Sequence, residues 1–179
     1  MIKISVNELA NKPDELLDLV NENDEIIGEI IRKEANSNPK KIHREVAIIV
    51  VDNQGRVLLE KRSSHKKVNP SMWSLIEGHI TKGTQILAAA HQELLEEVGF
   101  DSELTFIKKE LHKYDWETHF VYYYLGKYNR EEIIIETAEV EKTEFFSQED
   151  FKKLISNGES TNLKHLDVLN DYWKNNKTI

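Results

Sequence analysis

The chain of 179 residues contains no cysteine. That absence excludes a disulfide framework, a thiolate nucleophile and a thiolate zinc site. No run of about 18 apolar residues occurs, so no segment reads as a membrane span. The first residues, Met1 to Glu8, lack the apolar core and cleavage site of a signal peptide, and the cytoplasm is the expected location. Positive charge is also in short supply: 24 Lys and Arg stand against 32 Asp and Glu, a net charge of −8. Broad nucleic-acid binding needs a basic face and is not expected. A small anionic substrate stays compatible with this balance, because a bound cation inverts the local field. Internal repeats, low-complexity tracts and linkers are absent too. The 39% hydrophobic and 31% charged content suits one soluble globular domain over residues 1–179, with room for a full core.

The hydrophobic pattern reads as interleaved strands and helices. Two apolar runs flank the polar cluster Asn21 to Asp24, which predicts a hairpin over about 15–31. Arg32 to Ala35 reads as a helical turn. The β-branched run Arg44 to Val51 predicts a buried strand, and Arg56 to Lys61 pairs back on it after a turn. Ser63 to Pro70 is a basic loop, and Met72 to Glu77 is extended. A helix is predicted from about Gln85 to Val98. Its apolar stripe is Ile86, Ala90, Leu94 and Val98, and Gly99 is a left-handed C-cap. Strands follow over Leu104 to Leu111, Trp116 to Tyr128 and Val140 to Phe146. Ser147 and Asp150 open the first of the C-terminal helices, which cover about 147–174. Without regular βαβ units, the expected class is α/β, a mixed β-sheet sandwiched between α-helices.

What the chain does have is a carboxylate face. Glu93, Glu96 and Glu97 fall at i, i+3 and i+4 on the predicted helix, so they share one face, which the stripe places opposite the apolar residues. Three like charges there repel unless a cation sits among them, and Mg²⁺ takes both carboxylate and phosphate oxygens. This points to metal-assisted cleavage at a phosphate. The run from Gly78 to Phe100 resembles the Nudix box. Gly78, Glu93, Leu94, Glu96, Glu97 and Gly99 fall in register, with Phe100 at the last apolar position. Thr84 stands where the family has its first Glu, and Gln92 where it has Arg. The resemblance implies the Nudix fold, with Mg²⁺ (or Mn²⁺ in its place) on Glu93, Glu96 and Glu97, joined by the backbone carbonyl of Glu77. It also implies a fourth carboxylate from a late strand or loop. Glu144 is the first candidate and Glu139 the second. The paired loss of the box Glu and Arg is electrostatically self-consistent, since losing only one would strand a charge. Gln92 can still hydrogen-bond Glu93, and Thr84 can cap the helix.

Upstream, Lys61 and Arg62 are the candidates for phosphate contact, with Lys66 and Lys67 in the following loop. In the aromatic strand, Trp116, Phe120, Tyr122 and Tyr124 share one parity. Core packing explains one face, and the other can line a cleft. From about Val20 to Phe100 the chain resembles the Nudix branch that includes type 1 isopentenyl-diphosphate isomerase. That isomerase needs a cysteine where this chain has Glu77. Its second metal site implies His43, His79 and Glu117 as donors here, with His119 in place of a glutamate and Asn36 in place of a histidine. The expected activity is Mg²⁺-dependent hydrolysis of a phosphoanhydride in a nucleoside diphosphate derivative or a nucleoside di- or triphosphate. The alternatives are a ligand-binding or regulatory protein with weakened turnover and, behind it, isomerase-like chemistry. The partner is a small phosphorylated substrate, and a homodimer is compatible with the sequence.

Overall fold

The computed structural model of the protein describes residues 11–175, so the Met1 to Glu8 segment read above lies outside the described residues. The strand β3 (Ile42–Val51) is the axis of the fold. It is buried along almost all of its ten residues, as a strand covered on both faces must be. The strand β8 (Thr118–Lys127) lies parallel to it, from Ile42 opposite Thr118 to Val51 opposite Lys127. The other edge of β3 takes three antiparallel partners in turn. These are β1 (Leu16–Val20) at Ile42, β6 (Ile76–His79) from Glu45 to Ile48, and β4 (Val57–Arg62) at Val50 and Val51. The hairpin is completed by β2 (Ile26–Ile31) on β1. The strands β5 (Trp73–Ser74) and β9 (Val140–Phe146) flank β4, and β7 (Leu104–Lys113) covers β8. Parallel and antiparallel pairs thus share one mixed sheet.

Period-two alternation divides the core into two layers. Val46, Ile48 and Val50, with Phe120, Tyr122 and Tyr124, face the helix Ile86–Val98. Ala47, Ile49 and Val51, with Val121 and Tyr123, face the helices Gln148–Ser156 and Leu166–Asn175. In chain order the helices are α1 (Arg32–Ala35, a single turn), α2 (Ile86–Val98), α3 (Gln148–Ser156) and α4 (Leu166–Asn175), with a 3₁₀ turn at Leu163–His165 before α4. Ser147 closes a capping box on α3, accepting from the Asp150 N–H at 3.1 Å. Gly99 ends α2 at φ 75°, and a side chain there would also meet Ile134 at 2.8 Å. None of the described helices is long and apolar enough to cross a membrane.

Two expectations for α2 are corrected. Gln85, not Thr84, is at the N-cap, and no side chain caps the helix. The carboxylates do not lie opposite the apolar stripe. Glu97 is buried beside Ala90, Leu94 and Val98, because a residue three positions past Leu94 returns to the adjoining strip of the helix surface. Burying Leu94 completely contributes about 2 kcal/mol by transfer alone, which anchors that face to the sheet.

Candidate active site

Helix α2 delivers three carboxyl groups into three different environments. Glu97 is 1% exposed and lies beneath the helix, where Oε2 has no hydrogen-bond partner among the described residues. Burial first, and then the neighbouring Glu60, pushes its pKa well above the ordinary carboxylate range. Glu93 lines a cavity of about 1020 Å³. Its carboxyl lies against Gly78, where an added Cβ would fall 2.1 Å from the Glu93 carboxyl carbon. Only glycine lets the β6 backbone approach this closely. Burial, followed by the negative charge of Glu97 and Glu96, raises the Glu93 pKa well above its ordinary value. Glu96 is partly exposed on the helix surface. Although burial opposes its charge, hydrogen bonds from Lys12 at 2.9 Å and Gln92 at 2.6 Å hold its pKa low. Gln92 therefore bonds Glu96 rather than Glu93.

Of the two candidates for a fourth carboxylate, Glu139, the second, lines the cavity and pairs with Lys66 and with Lys12 at 3.4 Å. Glu144 is exposed and opposite Leu59 in the β4–β9 register. Directly paired residues point to the same face of a sheet, so Glu144 points with Leu59 toward α3 and α4, away from α2. The same alternation separates the two upstream cations. Arg62 is buried, lines the cavity and lies 3.6 Å from Glu77 and 4.0 Å from Glu60. Lys61 points to the other face, over the Trp73 ring and 3.7 Å from Glu159.

The carboxyl of Glu77 is fully engaged. It accepts from Ser74 at 2.8 Å, Asn162 at 3.1 Å and His165 at 2.8 Å, and Lys164 lies 2.7 Å away. Burial disfavours its charge, yet Lys164 and His165 hold its pKa well below the usual range. Its backbone carbonyl is the group left for a cation. The 3₁₀ turn before α4 thus closes one wall of the cavity, a role nothing in the local sequence of Leu163–His165 announces.

Next to this wall, β-sheet register gathers the histidines. His43 pairs with His119 across β3 and β8, and Glu45 pairs with His79 across β3 and β6. Glu45 lies 3.9 Å from His43, 3.5 Å from His79 and 3.4 Å from His119, with the Lys164 ammonium at 2.9 Å. All four ring nitrogens of His43 and His119 are buried without hydrogen-bond partners among the described residues. Burial lowers the His119 pKa to about 3, so this imidazole is neutral and its lone pair is available. Imidazoles beside Glu45 and Glu117 suit a transition metal. His79 is also hydrogen-bonded to Asn36 at 2.8 Å.

Sequence reasoning missed Glu60, Glu45 and Lys164. A signal for Glu60 existed. Leu58, Glu60 and Arg62 share one parity of β4, so two charges interrupt a face that begins in the core. Glu60 is 0% exposed, and burial, opposed by Arg62, pushes its pKa up to about 7. The buried carboxyls with orphaned oxygens, beside a glycine that makes room for Glu93, are a donor set that fits a hard divalent cation.

The NUDIX domain family model matches residues 41–166. An isopentenyl-diphosphate Delta-isomerase from Photorhabdus laumondii is 32% identical over 127 residues, 68% of this chain and 71% of the relative. A match to the isomerase of Nocardia farcinica spans about half of each chain, 50% and 51%. An uncharacterized Nudix hydrolase of Listeria monocytogenes is 28% identical over 145 residues, 79% of this chain and 85% of the relative. Among solved structures, the DR0079 protein of Deinococcus radiodurans superimposes with a TM-score of 0.75 at 20% identity, over 89% of this chain and 99% of that one. The NUDIX domain of Shewanella oneidensis NrtR, complexed with ADP ribose, superimposes with a TM-score of 0.60 at 15% identity, over 75% and 88%.

Proposed function

The chain belongs to the Nudix family, and from that premise we propose that it is a divalent-metal-dependent hydrolase. Its substrate would be a nucleoside diphosphate derivative or a nucleoside di- or triphosphate, cleaved at a phosphoanhydride bond. The observation that carries this reading is the Glu93 carboxyl on a cavity lined by cations, with the buried, under-partnered carboxyl of Glu97 one turn further along α2. Glu93, Glu96 and Glu97 would hold Mg²⁺, or Mn²⁺ in its place, with the Glu77 carbonyl beside them and Glu139 as the loop carboxylate. When bound, the ion lowers the pKa of water and neutralises phosphate oxygens. Glu93, the one of the three that borders Gly78, takes the proton of the attacking water. Arg62 is the phosphate contact in the wall, and the exposed Lys33 and Lys67 at the rim draw in an anion.

The other end of the cavity supports an aromatic group on the substrate. Trp116 is 55% exposed there and stacks on Tyr114, with centroids 5.2 Å apart and 11° between planes. The open face of the indole is suited to a nucleobase, and the ADP ribose bound by the Shewanella domain is a ligand of this chemistry. Glu77 in place of a cysteine, locked among Lys164, His165 and Asn162, disfavours isomerase chemistry.

A second reading, a ligand-binding or regulatory protein with slow turnover, draws its support from Thr84 and Gln92. With a neutral amide at 92, Glu96 lacks the charge-assisted brace of the family box. One screen separates the two. Phosphate and phosphomonoester release is measured across nucleoside diphosphate sugars, ADP-ribose, dinucleoside polyphosphates and nucleoside triphosphates with Mg²⁺ or Mn²⁺. Release that chelation abolishes is the expected result. Saturable binding of ADP-ribose with no release from any compound would replace the hydrolase reading with the second one.

A further inference from the structure

We propose that Glu60 of β4 is a further ligand of the cation held by the box helix, shared with Glu97. The inference rests on the hydrolase reading of the same site. Glu60 sits on the sheet floor directly under α2, on the face that Leu58 packs into the core. Its carboxyl neighbours that of Glu97, and both residues are buried, at 0% and 1% exposure. Ionised carboxylates only accept, so this contact needs something positive between the two groups.

The nearby cations do not supply it. The Arg62 guanidinium is 4.0 Å from Glu60 and closer to Glu77, at 3.6 Å, and Lys66 is hydrogen-bonded to Glu139. A single shared proton falls short as well. Three buried oxygens, both of Glu60 and Oε2 of Glu97, lack hydrogen-bond partners among the described residues, and one proton makes one hydrogen bond. A divalent ion with its remaining waters satisfies several oxygens together and offsets two charges. Glu60 thus adds a carboxylate from the sheet to those of the helix, in a chain whose box has none at Thr84.

The test is Mn²⁺ binding to the full-length, metal-free protein without substrate, followed by the loss of the free-ion paramagnetic resonance signal. Wild type is compared with Glu60→Gln, Glu97→Gln and the double variant. The Glu97-dependent part of the binding isolates this site from the histidine cluster. The expected result is that Glu60→Gln weakens that part by about tenfold or more. The double variant should bind no more weakly than Glu97→Gln alone, as two ligands of one ion require. Should Glu60→Gln not fold by circular dichroism, Glu60→Leu removes the charge and the hydrogen-bonding need together and carries the same comparison. Affinity within about twofold of wild type, or tighter, would reduce Glu60 to a proton-sharing neighbour and overturn the inference, leaving the hydrolase reading intact. Wild-type binding with no Glu97-dependent part would overturn both.

Discussion

At the scale of single residues, the site depends on carboxyls whose surroundings differ more than their positions along the helix suggest. Glu97 is sealed under α2, so on the proposed reading its loss removes a metal ligand without disturbing the surface. Glu97→Gln should cost roughly two or more orders of magnitude in metal-dependent kcat/KM with an unchanged far-UV circular dichroism spectrum. Full activity in the variant would remove Glu97 from the metal site. Gly78 makes a different demand. A methyl group there falls 2.1 Å from the Glu93 carboxyl carbon, and the flexible Glu93 side chain is the part that must yield. Gly78→Ala should therefore lower kcat by about tenfold or more while the melting temperature shifts by only a few degrees. A large loss of stability at normal kcat per folded molecule would mean that β6, not Glu93, absorbs the clash. On the proposed reading Trp116 serves binding alone. Trp116→Ala should raise KM for nucleotide substrates about tenfold, as expected for one lost stacking contact, and leave kcat nearly unchanged. An unaltered KM would take the base away from this wall.

At the scale of elements, the atypical box is a property of α2 and the loop before it. Gln92 donates to Glu96, and Lys12 supplies the positive charge at the same carboxylate from 2.9 Å. The brace of the family box is thus partly replaced by a residue from outside it. Restoring both box residues, as Thr84→Glu with Gln92→Arg, should raise turnover more than either single change, because each single change adds an unmatched charge. A double-mutant cycle on kcat/KM measures the coupling. Equal activity of both singles, the double and wild type would place Thr84 and Gln92 outside the active constellation.

At the scale of the whole molecule, the site stores charges that the fold tolerates only in part. Burial pushes Glu60 and Glu117 from the ordinary 4.5 up to about 7. A carboxyl with a raised folded pKa binds its proton more tightly when folded. Its contribution to stability is complete below the unfolded pKa and is lost as pH rises through the folded one. Glu45 and Glu77 are depressed, so their contribution is present above 4.5 and lost as pH falls. The chelated protein should therefore melt highest near pH 5 and lose stability from about pH 5 to 7. Added Mn²⁺ should recover that loss at the alkaline end, because an ion bound only by the folded state stabilises it. Thermal melts with and without a chelator check this. A melting temperature that climbs steadily from about pH 5 to 8 without metal would show that these carboxyls are not held protonated.

Much of this was legible in the sequence, because local rules govern it. Alternation gave the strands, β-branching marked β3 as buried, Ser147 and Asp150 announced the α3 cap, and Gly99 announced the end of α2. The spacing of Gly78, Glu93, Glu96 and Glu97 identified the box, since a helix repeats every 3.6 residues whatever packs on it. Tertiary structure decided which residues meet. Strand register sent Arg62 and Glu60 into the site, and Lys61 and Glu144 to the other face, by a one-residue difference in parity. Long-range packing brought Lys164 and His165 onto Glu77 across more than 85 positions, and Lys12 onto Glu96 across 84. Such contacts are set by how the whole chain fills its core, and no local pattern encodes them. Helical periodicity placed the carboxylates side by side, and only the packing of α2 on the sheet determined that Glu97 lies beneath the helix, face to face with Glu60.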